Sequence, residues 1–165
     1  HRDLHSFPTR RSSDLDTDLM FSSKDMTWAT PWSFFKKLDN EFFFNLDVCA
    51  LPENTKCTKY YSPAEDGLSQ RWKGTCWMNP PYGRAIKQWI AKAYEESLSG
   101  STVVCLIPSR TDTKYWHDYC MNAAEIRFVK GRLKFGDGAN SAPFPSAVVI
   151  FNDLGRDLQV SAMDS

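Results

Sequence analysis

Residues 76–83 read Cys-Trp-Met-Asn-Pro-Pro-Tyr-Gly and carry the most informative local pattern in this chain of 165 residues. The apolar run 76–78 predicts a short buried strand. Two prolines end the strand, because proline has no amide hydrogen and disfavours a helical residue before it. Residues 84–98 then repeat apolar side chains at helical spacing. A strand, a tight polar turn and a helix in this order indicate an α/β fold, whose ligands bind at the carboxyl ends of the strands.

The polar turn, Asn79-Pro80-Pro81-Tyr82, suits the methylation of a planar amino group. Such a nitrogen is conjugated with its ring and is a poor nucleophile, but two hydrogen-bond acceptors hold it in the electron-rich geometry that attacks a methyl group. The Asn79 side-chain oxygen and the Pro80 carbonyl are the expected acceptors, with Pro81 stiffening the backbone. Tyr82 offers a flat face for a base drawn out of a duplex. The alternative is that the prolines only end a strand and Tyr82 is a packed surface aromatic.

The flanking sequence alternates between helix and strand patterns. Thr30 and Pro31 predict the start of a helix, with Thr30 as the N-cap and Pro31 at the first helical position. Further strands are predicted at residues 43–50, 102–107, 125–129, 132–135 and 146–151, and a further helix at 113–122. This order predicts an α/β three-layer sandwich whose sheet is mostly parallel with an antiparallel edge.

Length and composition favour one globular domain, which we place at residues 20–152. Residues 1–19 have no apolar period and are expected to be a disordered or non-native leader, and residues 153–165 a flexible tail. The formal net charge is zero, so contact with nucleic acid requires a local basic patch. No segment is typical of a membrane span or a signal peptide, and we expect a soluble, cytoplasmic protein.

The cysteines and histidines do not predict a metal site. The chain has five cysteines, an odd number, with no Cys-x-x-Cys pair, and none of its three histidines has ligand spacing to a cysteine. Reduced, buried thiols are the expectation. We therefore expect no metal and no cysteine nucleophile.

The chain resembles the phage-type DNA N6-adenine methyltransferases, the Dam-like family, over most of its patterned sequence. The resemblance is carried by motifs that occur in the family's order: Trp28-Ala29-Thr30-Pro31, Leu46-Asp47-Val48-Cys49-Ala50, Asp66-Gly67-Leu68 with Trp72, Asn79-Pro80-Pro81-Tyr82-Gly83, Leu106-Ile107-Pro108-Ser109-Arg110-Thr111-Asp112-Thr113 and Gly131-Arg132-Leu133-Lys134-Phe135. It implies the S-adenosyl-L-methionine (SAM)-dependent methyltransferase fold, a Rossmann-like sandwich, and methyl transfer to adenine N6 in DNA. A phage or prophage origin is a further implication.

The resemblance also implies a cofactor site. Asp47 matches the acidic position that faces the SAM amino group, and the small side chain of Ala50 lets the cofactor lie close. Thr30 and Pro31 match the helix start that holds the methionine carboxylate. Asp66 matches the residue that reads the cofactor's adenine, although it is also the first residue of an Asp-Gly turn. The glycine-rich turn that many methyltransferases carry after the first strand is absent from this sequence.

For the substrate, the resemblance implies that Phe144 flanks the target base opposite Tyr82, and that Arg132 contacts DNA. A set of basic residues is expected either to track the phosphates or to be an ordinary solvated surface: Arg84, Lys87, Arg110, Lys114, Lys130, Arg132 and Lys134.

The residues leave other functions open. Cytosine N4, an RNA adenine and a protein glutamine amide each present a planar NH2 group that the same turn suits. A non-catalytic nucleic-acid-binding relic of the fold is the alternative from another class. Oligomeric state and recognition sequence do not follow from the sequence.

Overall fold

A computed structural model describes residues 28–153 and 155–165, so the predicted leader lies outside the described residues. Within them the chain forms three α-helices and six strands. In chain order these are α1 (Trp32–Phe42), β1 (Leu46–Asp47), β2 (Thr75–Met78), α2 (Ile86–Leu98), β3 (Thr102–Pro108), α3 (Lys114–Asp118), β4 (Glu125–Lys130), β5 (Ser146–Phe151) and β6 (Gln159–Asp164).

The strands form one mixed sheet in the order β1-β2-β3-β5-β4-β6. β1, β2 and β3 pair in parallel, β5 pairs antiparallel with both β3 and β4, and β6 runs parallel to β4. All strands except β5 therefore point their carboxyl ends to the same edge. The predicted α/β class is confirmed, but the antiparallel strand lies inside the sheet and not at its edge, because β5 inserts between β3 and β4. Every residue of β5 is buried, as an interior strand requires.

Two hydrophobic cores cover the two faces of the sheet and give three layers. On one face α2 and α3 bury Trp89, Ile90 and Trp116 against alternate strand residues such as Cys105. On the other face α1 packs the apolar side chains that recur at helical spacing, Phe34, Phe35 and Leu38, against Trp77, Val104 and Leu106. Because successive side chains of a strand point to opposite faces, the strands of the sheet contribute residues to both cores.

Helix α1 begins one residue later than the sequence indicates. Its N-cap is Pro31, its first helical residue is Trp32, and the cap makes no side-chain hydrogen bond. The prediction of Thr30 as N-cap is wrong, because the Thr30 hydroxyl accepts a hydrogen bond from Asn79 Nδ2 and does not cap the helix. The other boundaries also shorten: the strand predicted at residues 43–50 is only Leu46–Asp47, and the helix predicted at 113–122 divides into α3 and a 3-10 turn at Cys120–Asn122.

Two predictions for the part of the chain after β4 do not hold. Residues 132–135 form no strand; instead Leu133 and Phe135 are buried in a loop that packs on the α1 face of the sheet. The segment predicted as a flexible tail contains β6, whose six residues pair with β4. Its side chains are mostly exposed, so backbone pairing at an open edge, and not apolar periodicity, places it. Among the described residues no helix is long and apolar enough to cross a bilayer.

Candidate active site

A cleft lies at the carboxyl ends of β1 and β2, on the α1 face of the sheet. About 550 Å³ of space in and in front of it is free of protein atoms, part of it open solvent. Asp47 at the end of β1 and Trp77 in β2 both line it, and Asn79 follows two residues after Trp77. Asp47 pairs with Trp77, and side chains two apart in a strand share a face, so strand pairing and strand period together bring the predicted acid and amide into one cleft. The strand-end placement predicted for the polar turn is thus observed.

The Asn79 amide is anchored on both sides. Its Nδ2 donates to the Trp28 carbonyl oxygen at 2.9 Å and to Thr30 Oγ1 at 3.0 Å. Its Oδ1 accepts a hydrogen bond from the Tyr82 hydroxyl at 2.9 Å. These partners fix which end of the amide carries the oxygen, and among the described residues one lone-pair position of that oxygen is unused. Asn79 therefore presents an oriented acceptor at the cleft, whose floor continues with the buried Pro80 and Pro81.

Tyr82 belongs to a cluster of four aromatic rings beside the cleft. Its ring centroid lies 5.3 Å from that of Phe144, 6.1 Å from Trp28 and 6.3 Å from Phe135. Burial raises the pKa of its hydroxyl well above the usual range, so the hydroxyl remains a neutral donor. The Phe144 and Tyr82 rings contact each other edge to face at 85°, and the binding of a base between them stays a prediction. A base enters between them only if this pair separates.

Asp47 is a buried carboxylate, with only 2% of its surface exposed. Backbone N–H groups donate to it, from Lys56 to Oδ2 at 2.9 Å and from Cys49 to Oδ1 at 3.4 Å. Desolvation outweighs these bonds and the Lys56 charge, and it raises the Asp47 pKa to about 7. A carboxylate held at such a cost at a strand end is typical of a site for a cationic ligand.

The other residues predicted to bind a cofactor differ in whether they lie at the cleft. Ala50 and Thr30 line the cleft, and Pro31 follows Thr30 as the cap of α1. Asp66 does not line it: it lies exposed in a left-handed conformation at φ 53°, as the cap of a 3-10 turn. Gly67 directly after it packs against Trp89 on the opposite face of the sheet. Asp66 is therefore the first residue of an Asp-Gly turn, and its role toward the cofactor stays a prediction.

Lys56 and Asn54 line the cleft without any prediction from the sequence. The Lys56 ammonium lies 4.0 Å from the centroid of the Trp32 ring, and burial lowers its pKa. The Asn54 side-chain oxygen accepts from the Leu51 amide at 2.8 Å, which shapes the loop beneath the cleft. Within residues 28–153 and 155–165, no group of three or more His, Cys, Asp or Glu side chains is placed to hold a metal ion.

Exposed cations follow several strands at the carboxyl edge of the sheet, the edge at which the cleft lies. Arg84 follows β2, Arg110 follows β3, and Arg132 and Lys134 follow β4. Among the described residues none of these four is within 4.0 Å of a carboxylate. Two other members of the predicted basic set are paired: Lys114 with Asp118, and Lys130 with Asp164.

Comparison with known proteins finds relatives along most of the chain. The sequence model of the family described as DNA N-6-adenine-methyltransferase (Dam) matches residues 16–159, which include every residue lining the cleft. The DNA N-6-adenine-methyltransferase of Haemophilus phage HP1 (strain HP1c1) is 35% identical over 140 residues, covering 79% of this chain and 80% of that protein. That of Escherichia phage T1 is 32% identical over 110 residues, covering 64% of this chain and 45% of that protein.

The fold has a counterpart among solved structures. A crystal structure from Listeria monocytogenes, assigned to the class I S-adenosylmethionine-dependent methyltransferases, superposes with a TM-score of 0.51. The superposition covers 91% of this chain and 71% of that chain, at 10% sequence identity. At that identity the likeness concerns the fold alone, and it agrees with the mixed α/β sheet.

Proposed function

The chain belongs to the DNA N-6-adenine-methyltransferase family, and on this premise we propose how its cleft transfers a methyl group from SAM to the N6 amino group of adenine in DNA. One observation carries the proposal: the same cleft contains both the anchored Asn79 oxygen and the buried Asp47 carboxylate. The first suits the amine that receives the methyl group, and the second suits the ammonium of the donor.

The chemistry of the cleft fits SAM. The cofactor carries an ammonium and a sulfonium, and when bound it supplies an activated methyl group. Asp47, at the end of β1, is the residue that would take the ammonium in a hydrogen-bonded ion pair. The buried Ala50 allows close approach of the cofactor, because its methyl side chain fills little of the cleft.

The target amine is held by the polar turn. Asn79 Oδ1 accepts one hydrogen bond from the part of the chain that the structure describes and can accept a second, and the rigid Pro80 carbonyl provides the other acceptor. Acceptors that are already oriented lose no reorganisation energy when positive charge develops on the attacking nitrogen. Of the described residues that hydrogen-bond to Asn79, none is a carboxylate or an imidazole. A strong base is not needed, because the amine proton becomes acidic once its nitrogen is alkylated.

The target base has to leave the duplex before it reaches Asn79, since the amine is paired inside the helix. The aromatic cluster of Trp28, Tyr82, Phe135 and Phe144 lies beside the turn and offers the stacking face. We propose that a base stacks on Tyr82 after the Phe144 ring moves aside. The unpaired cations at the same edge are then in place to contact the flanking phosphates.

Loss of the Thr30 hydroxyl is expected to slow methyl transfer, because Asn79 Nδ2 loses one of its two acceptors and the amide becomes less firmly oriented. For Thr30→Val we expect kcat to fall by about ten-fold, the effect of one ordinary hydrogen bond. Thr30→Ser keeps the hydroxyl and is the matched control. The measurement is steady-state kinetics at saturating SAM, and a Thr30→Val kcat equal to that of wild type would contradict the positioning role.

Removal of an edge cation is expected to change the salt dependence of DNA binding. Each phosphate contact contributes about 0.9 to the slope of log K against log salt. For Arg132→Gln we therefore expect the slope to decrease by about 1, as measured by fluorescence anisotropy across a salt series. Lys73→Gln, an exposed cation just before β2 at the opposite edge, is the control and should leave the slope unchanged. Equal slopes for Arg132→Gln and wild type would show that Arg132 does not contact a DNA phosphate.

The substrate class is tested by incubating the protein with methyl-labelled SAM and, in separate reactions, duplex DNA, RNA and a protein extract. The proposal expects label in DNA. Label confined to RNA or protein would overturn it, and absence of both labelling and SAM binding would favour a non-catalytic relic of the fold.

A further inference from the structure

Among the described residues that line the cleft, two have charged side chains, Asp47 and Lys56. The two charges are linked through the backbone, since the Lys56 amide donates to Asp47 Oδ2 at 2.9 Å. Their side chains do not form an ion pair: among the described residues no carboxylate lies within 4.0 Å of the Lys56 ammonium. The cleft therefore contains one negative and one positive group that do not pair with each other, so each can bind a group of the ligand.

The position of the Lys56 ammonium is set by the start of α1. It lies 4.0 Å from the centroid of the Trp32 ring, and Trp32 is the first residue of that helix. The cap of α1 makes no side-chain hydrogen bond, and its first turn contains no acidic residue. An unneutralised cation and the positive end of a helix of 11 residues thus converge beside the cleft. Both favour an anion at this point.

The methionyl end of SAM is a zwitterion, with an ammonium and a carboxylate on the same carbon atom. Asp47 accounts for the ammonium but not for the carboxylate. We propose that Lys56 binds this carboxylate, with the amino end of α1 beside it, while Asp47 holds the ammonium. The inference rests on the proposed function, and it adds a cofactor-binding residue that no motif in the sequence marks.

The half-buried position of Lys56 strengthens such a contact. Burial lowers the pKa of the Lys56 amine, the nearby Asp47 charge opposes that shift, and an incoming carboxylate would oppose it further. The aromatic face of Trp32 restricts the side chain before the ligand arrives, so less conformational entropy is lost on binding. Lys56 is thus prepared for an anion and differs in this from Lys59, an exposed lysine of the same loop that does not line the cleft.

The test compares two ligands, SAM and decarboxylated SAM, which retains the ammonium and sulfonium but has no carboxylate. Affinities are measured by isothermal titration calorimetry for wild type, Lys56→Gln and Lys59→Gln, in the absence of DNA. For Lys56→Gln we expect SAM to bind about ten-fold more weakly, as for the loss of one charge-assisted hydrogen bond. The affinity for decarboxylated SAM should be the same as in wild type, and Lys59→Gln should match wild type with both ligands.

Equal losses for the two ligands would overturn the inference, since Lys56 would then act on the shape of the loop and not on the carboxylate. Unchanged SAM affinity in Lys56→Gln would also overturn it. Either result leaves the proposed function intact as long as wild type binds SAM. A wild-type protein that binds neither ligand would instead contradict the proposed function itself.

Discussion

Replacing Asn79 with alanine is expected to abolish methylation while SAM binding stays within a few-fold of wild type. The substitution removes the oriented Oδ1 acceptor, and loss of one such group lowers kcat by about 100- to 1,000-fold in comparable sites. SAM affinity is the internal control, because Asp47, at the end of β1, and Lys56, in the loop that follows β1, retain their contacts. The measurements are single-turnover methylation of DNA and calorimetric titration of SAM.

A second variant separates the two ends of the Asn79 amide. Asn79→Asp keeps an oxygen toward Tyr82 but loses the Nδ2 donor to Trp28 and Thr30. We expect activity between that of wild type and Asn79→Ala. Full activity in Asn79→Ala would show that the nitrogen is held elsewhere, and loss of SAM binding in that variant would show that the cleft had collapsed.

SAM affinity is expected to depend on pH through Asp47. Burial raises the pKa of this carboxyl to about 7 in the free protein, and only the ionised form pairs with the ammonium of SAM. Affinity should therefore rise with pH up to about 7 and then level off. One unit below the pKa only about one tenth of the carboxyl is ionised, so binding at pH 6 should be about ten-fold weaker than at pH 8.

Asp47→Asn tests the origin of this dependence. The variant should bind SAM weakly at every pH, without the step near pH 7. A wild-type profile that is flat between pH 6 and 8, or a step that persists in Asp47→Asn, would assign the dependence to another group. Calorimetric titrations in buffers of constant ionic strength provide both profiles.

The same carboxyl affects the stability of the free protein. Folding raises its pKa from an ordinary value of 3.8, so the unfolded chain loses the proton first as pH increases. The contribution of Asp47 to the free energy of unfolding is thus fully present below about pH 4 and decreases through about pH 7. Bound SAM is expected to offset this cost, because its ammonium favours the ionised form.

Much of the cleft could be predicted from local sequence. The run 76–78 and the prolines after it place Asn79 at a strand end, and the strand period places it on the same face as Trp77. Asp47 ends its own strand, so parallel pairing of β1 and β2 is enough to bring it near. Both patterns are short-range, and pairing of the two strands in the sheet is enough to bring Asn79 and Asp47 together.

The remaining parts depend on contacts between distant segments. Thr30 has the sequence context of a helix cap, but its hydroxyl bonds to Asn79, which is 49 residues away. Lys56 lies in a loop without periodicity, and only the fold places its ammonium over Trp32. The polar strand β6 joins the sheet through backbone pairing with β4. Its side chains are mostly exposed, so no alternation of apolar residues predicts it from the sequence.

The most direct test identifies the methylated nucleoside. Duplex DNA is incubated with the protein and SAM that carries a deuterated methyl group, then digested to nucleosides and analysed by mass spectrometry. We predict labelled N6-methyldeoxyadenosine with wild type and almost none with Asn79→Ala. Label found on cytosine N4, or labelled N6-methyldeoxyadenosine at wild-type levels with Asn79→Ala, would contradict it.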